Sequence, residues 1–157
     1  MAQQIGYLLL ALAFLRSDVA TAGEDRPVYF ETDVVPILTK LGCNSGGCHG
    51  KATGQNGFKL SLLGFEPDLD YRALAQQARG RRLFPAFPDQ SLLLLKATAR
   101  MPHGGGRRVD RDSEDYRVLR SWIANGANPP LNTDPQIERI EFTPERQVMS
   151  TASRQQL

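Results

Sequence analysis

Two thiols and an imidazole fall within one short stretch of this 157-residue chain, Cys43-Asn44-Ser45-Gly46-Gly47-Cys48-His49-Gly50. Cys43 and Cys48 are the only two cysteines, and His49 is one of two histidines, the other being His103. Residues of these types at this spacing can do three things. The thiols can pair as a disulfide, which suits an exported protein. Together with His49 and His103 they can supply the four ligands that tetrahedral zinc takes. Alternatively, each thiol can bond a vinyl group of a haem while the histidine directly after the second cysteine takes the iron. That is the Cys-x-x-Cys-His attachment pattern with four spacer residues in place of two. Two thioethers would anchor the porphyrin and hold His49 beneath the iron, so the order of residue types matters more than the spacing. Gly46 and Gly47 can take φ > 0 and let a longer loop fold back. Covalent haem, one per chain, is the leading reading, with Cys43 and Cys48 as attachment points and His49 as the proximal iron ligand.

The other side of the iron has two candidates in Met101-Pro102-His103-Gly104-Gly105-Gly106. His103 is favoured as the distal ligand and would give a bis-histidine haem of lower potential. Met101 is the alternative, a thioether that would raise the potential. No paired carboxylates, nucleophile or general base accompany the motif, so an electron carrier is expected here and not a catalyst. A phosphate loop is excluded, because Ser45 stands where the first glycine of that motif belongs and Ala52 where its Ser/Thr belongs.

The elements that must position these residues are short. Thr32 or Asp33 can cap a helix with Val34, Val35, Ile37, Leu38 and Leu41 on its apolar face, and Gly42 stops it just before Cys43. A second helix is expected from Pro67 through Ala78, ended by Gly80. Leu92 to Leu95 are hydrophobic all round, which predicts a buried segment. Asp112 or Ser113 caps a last helix whose Tyr116, Leu119, Trp122 and Ile123 recur at helical spacing up to Gly126. The piece at Phe58–Leu63 reads as a short extended segment. The expected fold class is therefore mostly α, with long irregular loops.

The chain's two ends differ from its middle. Ile5 to Leu15 is an apolar run followed by Ala20-Thr21-Ala22, a small-x-small cleavage pattern, so residues 1–22 read as a signal peptide and the protein as exported, periplasmic or extracellular. The run is too short for a membrane span. No Lys or Arg precedes it, which leaves an uncleaved N-terminal tether as the variant reading. Without the leader about 135 residues remain, enough for one domain with its own core. Between Arg79 and Arg120 there are ten Lys/Arg against five Asp/Glu, so that half is basic. Such a face is ordinarily solvated, and its functional readings are ion pairs to haem propionates or docking of an acidic redox partner. Nucleic acid is not expected as a partner.

The runs Phe30 to Leu38, Cys43 to His49 and Gly54 to Leu62, with Gly80-Arg81-Arg82, Ser91 to Thr98 and Pro102 to Gly106, resemble the cytochrome c-like domain of large secreted proteins of planctomycete-type bacteria. The resemblance spans residues 28–130. It implies a small helical c-type fold, one haem, and electron transfer with a redox partner protein. In that family the domain is followed by a bacterial immunoglobulin-like domain and further large domains. Residues 135–157, beginning with the alternation Ile137 to Phe142, are similar to the start of such a β module, so this chain would be the N-terminal piece of a longer product. The alternative reading is a non-redox extracellular module, held by a Cys43–Cys48 disulfide or a zinc site, that serves recognition or spacing.

Overall fold

The computed structural model describes residues 26–141. The expected signal peptide and residues 142–157 of the expected β module lie outside them. Residues 135–141 are described and contain no strand. The described part is mostly helical, and its only β pairing is a single antiparallel bridge between Gln55 and Phe58.

Four α-helices carry the fold: α1, Val35–Lys40; α2, Pro67–Tyr71; α3, Leu92–Ala97; and α4, Glu114–Ala124. Single π or 3-10 turns extend or join them. The first helical segment begins earlier than its sequence signals predict. A π turn, Phe30–Val34, leads directly into α1, and Asp33 lies inside it with its carboxylate accepting from the Tyr29 backbone N–H at 2.8 Å. Pro36 is the second residue of α1, directly after the π turn. Gly42, at φ +72°, ends the segment in the left-handed conformation that glycine adopts without a Cβ penalty.

The second predicted helix is shorter than expected. α2 passes into a π turn, Arg72–Gln76, and the chain then reverses through Ala78 and Arg79, both at positive φ (52° and 60°), before Gly80 at 66°. This reversal brings Arg82 back under the domain. The four leucines also divide. Leu94 is fully buried, whereas Leu92, Leu93 and Leu95 are only partly covered. α4 matches its sequence pattern. The Ser113 hydroxyl caps it by accepting from the Tyr116 N–H at 3.2 Å, and Tyr116, Leu119, Trp122 and Ile123 are all buried.

The core forms where the first and last helical segments meet. Phe30 packs against Trp122 at 5.3 Å between ring centres and edge-on against Tyr71 at 5.5 Å. Val34, Leu38, Leu60, Leu74, Leu94 and Leu119 complete it. The Trp122 indole N–H donates to the Asn128 carbonyl at 3.0 Å, so the buried ring leaves no polar atom stranded. Among the described residues no helix is long and apolar enough to cross a membrane.

Candidate functional site

The cysteine loop is folded on itself by its own backbone. The Cys43 N–H donates to the Leu38 carbonyl at 2.8 Å, so α1 delivers the loop directly. The His49 N–H returns to the Cys43 carbonyl at 3.0 Å, and the Gly50 N–H to the Ser45 carbonyl at 3.0 Å. This closure demands glycine at 50, because a Cβ there would lie 2.0 Å from the Asn44 carbonyl oxygen. The His49 carbonyl accepts from the Leu60 N–H at 2.8 Å, which ties the loop to the segment after it.

The loop forms one wall of a cavity of about 320 Å³. Cys43, Cys48, His49 and His103 all line it, with Leu38, Phe58, Leu60, Leu74, Leu92, Leu93 and Ala97 as an apolar floor. That volume lies at the lower end of the range of ligand-binding clefts. The partial exposure of Leu92 and Leu93 is exposure to this space, which is why a run that reads as wholly buried is not. Arg81, Arg82, Lys96 and Arg108 also line the cavity, and among the described residues no Asp or Glu does. None of these four cations has a carboxylate partner among the described residues. Lys96 donates to the Pro102 carbonyl at 2.8 Å, and Arg108 reaches the Cys48 sulfur at 3.7 Å.

The two histidines present matched arrangements. Nδ1 of His49 lies 3.0 Å from the Phe58 carbonyl, and Nδ1 of His103 lies 3.2 Å from the Gly106 carbonyl. A carbonyl only accepts, so each Nδ1 carries the hydrogen and the lone pair of each neutral ring is on Nε2. Metal-binding imidazoles are oriented by this kind of second hydrogen bond. The rings are nearly parallel, 7° apart, with centres separated by 6.2 Å. Burial lowers the pKa of His49, as do His103 and Arg82, while the Phe58 hydrogen bond opposes them; the net direction favours the neutral, ligating form.

His103 is held in a tight turn closed by the Gly106 N–H on the His103 carbonyl at 2.9 Å, with Gly106 at φ +68°. Gly105 lies against the imidazole, and a Cβ there would stand 2.9 Å from Cε1 of His103. Met101 is exposed and does not line the cavity; its N–H caps the end of α3 by donating to the Leu95 carbonyl at 3.0 Å. Of the two distal candidates, the fold brings His103 to the cavity with His49.

Cys43 and Cys48 are free thiols. Burial pushes the Cys43 thiol up to about 11, partly opposed by Arg108. Among the described residues no three His, Cys, Asp or Glu side chains are grouped to hold one metal ion, so the four zinc candidates do not form a tetrahedral set. Two thiols and two imidazoles around one cavity are the donors that a covalently attached haem would need. Comparison with protein-family models, curated proteins and solved structures finds no match to this chain.

The sequence signals do not single out Phe58, whose carbonyl orients His49, or Arg82, which is buried behind it. The only hint is position: Phe58 directly follows Gly57, and Arg82 follows Gly80-Arg81.

Proposed function

We propose that residues 28–130 form a cytochrome c-like domain that carries one covalently attached haem and passes single electrons to and from a redox partner protein. The observation that carries the reading is the near-parallel pair of imidazoles, His49 and His103, each committed through Nδ1 to a backbone carbonyl and both facing a cavity that also holds the two thiols. Bound haem would supply a one-electron couple at iron.

The chain's own residues bind, orient and shield. Cys43 and Cys48 would hold the haem covalently, each through a thioether. His49 and His103 would supply its imidazole ligands through Nε2. The apolar floor from Leu38, Leu60, Leu74 and Leu93 would shield it from water. Arg81, Lys96 and Arg108, cations without acids around them, match a ligand that carries two carboxylates. The leader pattern at residues 5–22 supports export, which places the thiols where haem is attached in bacteria.

The test is expression with its leader in a host that has a haem-attachment system. A pyridine haemochrome spectrum of the c type and a mass gain of one haem are expected. A colourless mature protein two mass units lighter than its reduced form would instead establish the disulfide-stapled module.

A further inference from the structure

Arg82 is a buried cation without an anion. The residue is 5% exposed, and no carboxylate among the described residues pairs with it. Backbone carbonyls solvate it instead: Nη1 donates to Ala73 at 2.9 Å and Gln77 at 3.1 Å, and Nη2 to Gly57 at 3.2 Å. The guanidinium also lies over the Phe58 ring, 4.5 Å from its centre. Phe58 is the residue that sets His49, since its carbonyl holds Nδ1 and its ring packs against the imidazole at 4.5 Å between centres. Arg82 therefore grips this residue twice, through the carbonyl of the preceding Gly57 and through the ring face.

A strut alone would not need a charge. Desolvating a guanidinium is costly, and a neutral amide can donate to carbonyls without that cost. What the charge adds is a fixed positive potential one aromatic ring away from His49, in a cavity lined by no acid. Positive charge held near an iron centre favours its reduced state, which carries one charge less. We propose that Arg82 is a positioning residue that fixes the orientation of His49 through Gly57 and Phe58 and whose charge biases the bound haem toward the ferrous state. This rests on the haem reading above.

The experiment uses the haem-loaded protein and two variants, Arg82→Gln and Arg82→Lys, each equilibrated with a redox dye and examined by electron paramagnetic resonance of the ferric form. Arg82→Gln keeps a donor and loses the charge. Its ferric-to-ferrous ratio at fixed potential should rise about tenfold, the order expected for a unit charge at about 10 Å through protein. Arg82→Lys keeps the charge but cannot reach three divergent carbonyls. It should stay within about threefold of wild type in that ratio while its low-spin g values shift as the His49 plane turns.

A loaded Arg82→Gln protein with wild-type ratio and g values would overturn the inference, as would an Arg82→Lys protein that shows the full tenfold change. If Arg82→Gln does not load, Arg82→Lys decides alone: altered g values with a retained ratio support the inference, and wild-type g values sink it. A wild-type protein that carries no haem is a different failure, that of the reading on which this one rests.

Discussion

His49 and His103, far apart in the chain, lie with their imidazole planes 7° apart, Nδ1 of His49 anchored to the Phe58 carbonyl and Nδ1 of His103 to the Gly106 carbonyl. Neither anchor depends on the other. Removing one imidazole should therefore leave the other in place. In the haem-loaded protein His103→Ala is expected to lose the low-spin optical spectrum while the covalent haem remains, and Met101→Ala to keep it. The reverse pattern in absorbance spectra of the two variants would make Met101 the distal ligand.

Gly105 tests the same ring without touching it. A Cβ at this position meets Cε1 of His103 at 2.9 Å and Arg108 Nε at 3.3 Å, so a side chain there must move the imidazole. The φ of Gly105 is not in the left-handed region, so the effect of Gly105→Val is one of contact. The variant should show a mixed high-spin and low-spin ferric spectrum, with stability within about 0.5 kcal/mol of wild type because the loop carries little core. Absorbance and thermal melts of the same sample separate the two effects.

The α4 face was legible because a helix repeats: Tyr116, Leu119, Trp122 and Ile123 fall on one side whatever the rest of the chain does, and all four are buried. The cysteine loop was legible because its chemistry sits in consecutive residues. Arg82 was not. It reads as one more cation in a basic stretch, and only non-local carbonyls at Gly57, Ala73 and Gln77 make a buried place for it. Leu92 and Leu93 failed for a related reason, since apolarity predicts cover but cannot tell a packed core from a cavity wall. The early start at Phe30 is a third case, in which Asp33 is a good N-cap by type but is used from inside the turn, reaching back to Tyr29.

The core offers a prediction about magnitude. Trp122 is 1% exposed, packs on Phe30 and satisfies its N–H at Asn128. Trp122→Ala should cost about 3–5 kcal/mol, a large share of the 5–15 kcal/mol typical of a domain. Denaturant titration should show the midpoint falling sharply. Loss of less than about 1 kcal/mol would mean that the two helical segments do not depend on this contact.

Asp89 gives the pH dependence. Its carboxylate accepts from the Tyr116 hydroxyl at 2.5 Å and from Arg120 at 2.8 Å, which ties the segment before α3 to α4. These bonds, that from Tyr116 first, hold its pKa below the ordinary 3.8. A depressed carboxylate contributes stability that is complete above the unfolded value and is lost as pH falls through the folded one. Melting temperature should therefore fall with pH below about 4. Asp89→Asn should melt lower at pH 7 and lose part of that acid slope. Parallel acid slopes in the two proteins would show that other carboxylates carry it.

Cys43 makes the last prediction, on the chain before any haem is attached. Burial pushes its thiol up to about 11, so at pH 8 only about one molecule in a thousand holds the thiolate that reacts with alkylating agents. An ordinary cysteine near 8.5 is about a quarter ionised at that pH. Cys43 in the Cys48→Ser variant should therefore alkylate roughly a hundredfold more slowly than it does in the denatured chain, and the gap should narrow as pH rises toward 11. Peptide mapping after timed alkylation measures the rate directly. A Cys43 that reacts as fast in the folded chain as in the denatured one would show that the thiol stands in water and not in the cavity wall.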